Sequence, residues 1–201
     1  MISNFIVEDE MKLPILETER LILRVPGPED AEAMCDYVAD NRAHLAPWEP
    51  VRDEAYFTRD HWKQLLKAAR KSVLEGMRLQ LVLCDKSSPS GPILGQCNFN
   101  NVIRGAFQAA YLGYSLDHRR VGQGLMYEAL TTAIDYCFKN LNLHRIMANY
   151  IPINEKSGRL LKRLGFMVEG YARDYLYLDG AWQDHIMTAL INDHWSPPPG
   201  I

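Results

Sequence analysis

Residues 117–130 read DHRRVGQGLMYEAL: an arginine pair, then two glycines one residue apart, where an amphipathic run begins. A strand, a glycine-bearing turn and a helix start are the parts of a phosphate cradle. The first N–H groups of a helix lack internal partners and project outward at the positive end of the helix dipole. Glycines let that backbone come close to a phosphate, and Arg119 or Arg120 can add charge. The ligand expected here carries phosphate, and more than one. Two common cradles do not fit. Tyr127 stands where a dinucleotide fingerprint has its third glycine, and no Gly-Lys-Ser/Thr run is present. Two glycines alone leave a plain tight turn open as the alternative, with Gly122 and Gly124 serving backbone angles only.

Periodicity indicates which elements would position this loop. Alternating charged and apolar residues over 20–24 suit a first strand, and PGPED then opens a short helix over 31–39. Two prolines make 45–54 a loop. A longer helix is expected over 56–74, with Phe57, Trp62, Leu65, Leu66 and Ala69 inward. Strands follow at 79–85, 93–102 and 109–116. The helix after the glycines should run from about 123 to 141, with Met126, Leu130, Ala133, Ile134, Cys137 and Leu141 forming one apolar stripe. Then come a strand at 144–151 and a helix with Asn154 as N-cap and Gly165 as terminator. Two strands joined at Asp179-Gly180 close the chain. The order β-α-α-β-β-β-α-β-α-β-β implies a mixed sheet covered by helices, an α+β fold.

Composition narrows the function classes. The 201 residues make one domain with room for a sizeable core, and 47% apolar with 23% charged residues exclude a disordered chain. A net charge of −3 leaves no footprint for general nucleic-acid binding, so no direct DNA partner is expected. The start lacks a basic segment followed by an apolar one, and no apolar run approaches the roughly 20 residues that span a bilayer. No membrane partner is expected. Cys35, Cys84, Cys97 and Cys137 are widely spaced and the six histidines lack helical metal-site spacing, so no metal is expected, only buried thiols in a reducing cytoplasm.

RRVGQG, residues 119–124, matches the Arg/Gln-x-x-Gly-x-Gly/Ala pattern of the GNAT superfamily, the acetyl-CoA-dependent N-acetyltransferases. The preceding strand and the later N-x-x-S…LGF helix sit where that family has its next cofactor elements. LAPWEPVRDE, FNNVIRG, YLGYSL, HRIMANYIPIN and EGYARDYLYLDGAWQDH resemble its RimJ/RimL subgroup of ribosomal-protein N-acetyltransferases. The resemblance runs from about Arg20 to Trp195, so the expected organisation is an arm over 1–14, an acetyltransferase domain over 15–195 and a tail over 196–201.

The resemblance implies a GNAT fold, a mixed central sheet flanked by helices whose fourth and fifth strands splay apart. The pantetheine arm of acetyl-CoA would pair with the backbone of Tyr114, Ser115 and Leu116 in that gap. Its pyrophosphate would rest on the N–H groups of Arg120, Val121, Gly122, Gln123, Gly124 and Leu125, beside Arg119. Asn154 and Ser157 would complete the cofactor site, although Asn154 is equally a helix cap. Ser157 would serve the leaving thiol, since other GNAT branches use a tyrosine where this chain has Leu161. The base has no direct counterpart. Tyr111 and Leu176 stand where relatives carry acids; Asp174 is the nearby carboxylate taken for the role, with Glu169 and Asp184 as neighbours. Trp48 and Glu49 are expected on an acceptor-side loop, or as part of a proline-stiffened loop with Trp48 packed in the core.

The activity implied is transfer of acetyl from acetyl-CoA to the N-terminal alanine of a small-subunit ribosomal protein, with assembling ribosomal particles as the expected place of encounter. A magnitude favours an α-amine. With pKa about 7.7–8.0 its neutral form costs about 1–1.4 kcal/mol near pH 7, against roughly 4.6 kcal/mol for lysine. A chain without an obvious base can meet the first cost more readily. The rivals are acetylation of a small amine and a ribosome-assembly factor with a vestigial CoA site.

Overall fold

The computed structural model describes residues 13–197, so the expected arm and tail lie almost wholly outside the described residues. The sheet has eight strands: β1 (Ile15–Glu17), β2 (Leu21–Arg24), β3 (Leu79–Asp85), β4 (Gly95–Ile103), β5 (Ala109–Leu116), β6 (Arg145–Met147), β7 (Met167–Leu178) and β8 (Ala181–Ile191). Their spatial order is β1-β2-β3-β4-β5-β6-β8-β7. The helices are α1 (Ala31–Asp40), α2 (Arg42–Leu45), α3 (Arg59–Leu74), α4 (Leu125–Lys139) and α5 (Glu155–Arg163). Neighbouring strands are antiparallel except β5 and β6, which run parallel because α4 carries the chain across between them.

Each face of the sheet has its own core. Leu81, Leu83, Cys97, Phe99 and Leu112 meet Leu130, Ala133 and Cys137 of α4 and Leu161 of α5. Val82 and Cys84 meet Met34 and Tyr37 of α1 and Trp62 and Leu66 of α3 on the other side. Strand β3 is covered on both faces, which is why LQLVLC is nearly continuous in apolar residues rather than alternating.

Local chemistry shifts several boundaries. β1, three residues long, is too short to show a period and exists because it pairs with β2. Helix α3 begins at Arg59 rather than 56, because Asp53 caps a separate turn (Tyr56 N–H to Oδ1, 3.1 Å) and Thr58 caps α3 itself. The expected loop over 45–54 is partly helical: α2 ends at Leu45 and a 3₁₀ turn spans Ala46–Trp48. Helix α4 starts at Leu125, since Gly122 (φ +83°) and Gly124 (φ +78°) are left-handed and cannot belong to it. The strand expected over 144–151 is only Arg145–Met147. Asp179 and Gly180 both have positive φ, the requirement of a type I′ hairpin turn. Leu65, expected inward, is 38% exposed, whereas Leu130 is wholly buried.

Leu130→Ala should therefore cost about 2–5 kcal/mol, the range for a buried leucine that leaves a cavity. Leu65→Ala should cost less than about 1 kcal/mol. Urea midpoints at equal m-values measure both, and similar losses would contradict the packing described.

Candidate active site

Strands β5 and β6 pair over Ala109–Tyr111 and Arg145–Met147, then part. Beyond Met147 the chain stays with β8: Ala148 N–H donates to Thr188 O at 3.0 Å and Tyr150 N–H to Ile186 O at 3.1 Å. Strand β5 meanwhile runs on to Leu116, paired with β4 alone. Asp117 N–H donates toward β4, to Leu94 O at 2.8 Å. By strand alternation Leu112, Tyr114 and Leu116 then turn their N–H and C=O groups into the gap. The splayed fourth and fifth strands are β5 and β6 here, because β1 advances the count.

The open edge leads into the glycine loop. From Val121 to Tyr127 no backbone N–H donates to a protein acceptor among the described residues; the first helical bond is Glu128 N–H to Gly124 O, 3.1 Å. A Cβ at Gly122 would meet nothing within 4 Å, so its outer side is open. The loop is braced from beneath and beside. Asp117, with a side chain 6% exposed, accepts from Arg119 N (2.8 Å), Nε (2.9 Å) and Nη2 (2.6 Å). Arg119 also reaches Asp40 at 3.0 Å. Buried Asn41 accepts from His118 N–H at 2.9 Å. Arg20 donates to Gln123 O at 3.0 Å and holds Glu128 at 2.7 Å, and Glu128 also accepts from Thr18. This revises the reading of Arg119: its charge is matched by two aspartates, while Arg120 has no acidic partner among the described residues.

Across the gap, Asn154 accepts Ser157 N–H at 3.2 Å and caps α5, which orients Ser157. Its carboxamide oxygen is therefore a structural group. The Ser157 and Tyr114 hydroxyls are 2.6 Å apart. Burial pushes the Tyr114 phenol up to about 12, with the Ser157 hydrogen bond drawing it down, so it stays protonated at neutral pH. Leu161 is buried in the core, and a tyrosine hydroxyl reaches Ser157 from β5. Lys156, on the exposed first turn of α5, has no acidic partner among the described residues, whereas Arg159 pairs with Glu155 at 2.9 Å.

Residues of opposite parity on β5 face α1 and α3. Ser115 Oγ accepts from the Tyr37 hydroxyl at 2.9 Å. Gly113 is exposed in mid-sheet, and a Cβ there would meet nothing within 4 Å. Opposite it lies Asn98, whose Oδ1 is buried without a partner. Beside it stands Tyr111, and Asn149 donates to the Tyr175 hydroxyl at 3.3 Å. The loop after α2 is tied to the turn between β7 and β8, since Asp179 N–H donates to Glu49 O at 3.0 Å. Trp48 is half-buried and belongs to none of the core clusters.

The other carboxylates are placed differently. Asp174 is exposed in an irregular stretch of β7 at φ +46°, its N–H donating to Asp184 Oδ1 at 2.8 Å. No hydrogen bond or ion pair joins its side chain to Tyr114, Ser157 or Tyr111 among the described residues. Glu169 is paired with Arg145. Asp184 accepts from Tyr171 and Asp174. Sequence reasoning missed the Tyr114 hydroxyl, Tyr37 and the Arg20–Glu128 brace. Only Asp117, adjoining the arginine pair, carried a local signal. No three His, Cys, Asp or Glu side chains gather as a metal site among the described residues, and no helix there is long and apolar enough to cross a membrane.

A parted parallel pair, an edge of unpaired backbone and a glycine-loop helix start define an acyl-CoA transferase architecture. Residues 20–167 match the acetyltransferase (GNAT) domain, and the chain belongs to the GNAT acetyltransferase family. It is 47% identical over 182 residues to the ribosomal protein uS5-alanine N-acetyltransferase of Escherichia coli K12, covering 90% of this chain and 93% of that protein. The solved ribosomal-protein-S5-alanine acetyltransferase of Vibrio fischeri has a TM-score of 0.87 at 44% identity, with 92% of this chain and 100% of the other covered. Mycobacterium smegmatis RimJ in complex with CoA-disulfide has a TM-score of 0.82 at 30% identity, with 92% and 89% covered.

The loop brace has a pH signature. The Arg119 hydrogen bonds hold the Asp117 carboxyl down to about 2 against its burial. A folded-state value below the unfolded one, about 3.9, means stability fully present above about pH 4 and lost as pH falls toward 2. Asp117→Asn should lower Tm at pH 6 by roughly 5–10 °C, from about 1.5–3 kcal/mol for a charged hydrogen-bond network. The gap from wild type should narrow between pH 4 and pH 2.5, and a gap constant over that range would exclude the charge as the holding force.

Proposed function

We propose that this acetyltransferase transfers the acetyl group of acetyl-CoA to the N-terminal alanine of the small-subunit ribosomal protein uS5. The observation carrying this is the continuous β5 edge. One end meets the unpartnered N–H row from Val121 to Tyr127, and beside its middle lies the Tyr114–Ser157 hydroxyl pair. An N–H row at a helix start fits a pyrophosphate, and an open strand edge fits an amide-bearing arm. Val121, Gly122, Gln123, Gly124 and Leu125 would hold the phosphates, with Arg120 and Lys156 adding charge. Tyr114 and Leu116 would hold the pantetheine. The cosubstrate supplies an acetyl thioester.

The chain's own groups then divide the work. A backbone N–H of the open edge, near Leu116, meets the oxyanion. The Ser157–Tyr114 pair presents one O–H to the departing sulfur, the other hydroxyl's proton being spent in the hydrogen bond between them. Full proton transfer from a phenol near 12 to a thiolate near 8.5 would be uphill by about 5 kcal/mol, so the pair acts as a hydrogen-bond donor rather than as the acid. The acceptor enters from the α1–α3 side, over Gly113, where the floor is open. The high identity to the uS5-alanine enzyme supports this acceptor, and the modest deprotonation cost of an α-amine fits the absence of a carboxylate at Tyr111.

The direct test compares three acceptors with acetyl-CoA: a peptide with the uS5 N-terminal sequence beginning at alanine, its N-acetylated twin carrying a free lysine, and a polyamine. The free peptide should be acetylated and the blocked twin should not. A preference for the polyamine would replace this reading by small-amine acetylation.

Ser157→Ala and Tyr114→Phe should each lower kcat about 10- to 100-fold, from about 1.5–3 kcal/mol for a hydrogen bond to a charged group. KM for acetyl-CoA should change less than about threefold. The double variant should be little worse than either single one, because the hydroxyls act as a unit. Additive losses would show that they act separately.

A further inference from the structure

Strands β4 and β5 lie inside the sheet, yet on the α1–α3 face a run of their paired positions carries no aliphatic side chain. The register places Gln96 opposite Ser115, Asn98 opposite Gly113 and Asn100 opposite Tyr111. The other face of the same stretch holds Cys97, Phe99 and Leu112, all buried in the core. On the α1–α3 face, core lies only to either side. Val82, the β3 partner of Gln96, is packed under α1 and α3, and Ala109, Met147 and Ala189 cluster beside Tyr111. Between them Gly113 is exposed and the three carboxamides are half-buried. A polar floor left uncovered in mid-sheet is unusual, because apolar side chains under a helix would stabilise the fold more.

The floor has one closed end and one open end. At Ser115 the buried Tyr37 reaches across from α1, its hydroxyl 2.9 Å from Ser115 Oγ. At Asn100 the ladder breaks: pairing shifts between Asn100 and Ile103, and Asn101 turns left-handed at φ +50°. The carboxamides differ in what they have free. Asn98 donates to Gln96 Oε1 at 3.4 Å, and its own oxygen is buried. Asn100 makes no side-chain hydrogen bond among the described residues, and neither its Oδ1 nor its Nδ2 is fully buried. It keeps a donor and an acceptor side by side, the complement of a peptide group. None of the six floor positions is a carboxylate, so the floor holds no countercharge for a polycation.

We propose that Asn100 is a specificity residue that pairs with the peptide group joining the acceptor's second and third residues, a role that rests on the N-terminal acceptor reading above. The ladder gives the spacing. An α-amine over Gly113 stands beside Leu112 and Tyr114, whose backbone groups turn into the gap. Asn100 lies two residues further along the ladder, about 7 Å away at about 3.4 Å per residue. An extended acceptor carries its second peptide group at about that distance from its α-nitrogen. Its chain then leaves over the break at Asn101. A polyamine brings donors only, and a lysine side chain spans the same distance with methylenes.

Asn100→Leu keeps the shape and removes both polar atoms. Three acceptors are compared at saturating acetyl-CoA: an alanine-starting uS5 hexapeptide, the same peptide with an ester at its second linkage, and alaninamide. The ratio of kcat/KM for the peptide to that for alaninamide should fall about tenfold in Asn100→Leu, the effect of losing two neutral hydrogen bonds. In wild type the ester peptide should react about threefold more slowly than the amide peptide, having lost one N–H. In Asn100→Leu that difference should vanish, since variant and ester remove the same contact. The rise in Tm caused by CoA should be equal in both proteins, which shows the fold and cosubstrate site intact. An unchanged ratio, or an ester deficit that persists in Asn100→Leu, would overturn the Asn100 role and leave the acceptor assignment standing. If the variant does not fold, wild type alone decides, because an ester peptide as fast as the amide peptide also overturns the role. Failure of wild type to acetylate the free peptide would overturn the acceptor assignment itself.

Discussion

Strand β5 loses its partner in the middle of an eight-stranded sheet, and the rest of the site follows from that parting. Backbone N–H and C=O groups left unpaired away from water are costly, so a fold keeps such an edge only where a ligand or water completes it. The parting is imposed by β8. Backbone bonds through Ala148 and Tyr150 hold the chain after β6 to β8, and Asn149 accepts Thr188 N–H at 3.3 Å. The chain therefore turns away from β5 after Met147 and enters α5, whose first turn brings Ser157 back to the opened edge.

In the proposed reading the edge receives a long phosphate-bearing ligand and needs a fixed end, which the loop between β5 and α4 provides. Its glycines permit the conformation but do not hold it. The holding groups are charged and come from far along the chain: Asp117 grips Arg119, Asn41 grips His118, and Arg20 with Glu128 fixes Gln123. Their hydrogen-bonding capacity is directed inward, which leaves the N–H row facing out. Such preorganised dipoles need little rearrangement when an anion arrives.

The two faces of the sheet carry different hydroxyl pairs. Strand alternation sends Tyr114 to the α4–α5 side, where it meets Ser157, and Ser115 to the α1–α3 side, where it meets Tyr37. In the proposed reaction, leaving-group and acceptor chemistry lie on opposite faces of that strand. Gly113, on the α1–α3 side, leaves open space where a side chain would stand.

Much of this was legible in the residues. Strong periodicity located α3, α4 and most strands, and Asn154, Gly165 and Asp179-Gly180 marked their ends, because capping and turn chemistry act within a few residues. The glycine pair pointed to a phosphate cradle without excluding a plain turn, and the family-like segments around it identified the transferase class. What the sequence could not determine depends on distance. The three-residue β1 and β6 exist through pairing and show no period of their own. Arg20 and Glu128 stand 108 positions apart, and Tyr114 and Ser157 stand 43 apart. Arg119 looked like a phosphate ligand until Asp117 and Asp40 were seen to engage it. Local propensity is a property of neighbouring residues, whereas a side chain's charge state and partner are decided by whichever elements the fold packs against it. The sequence therefore determined the class of ligand, and only the tertiary structure decided which hydroxyls and carboxylates stand near it.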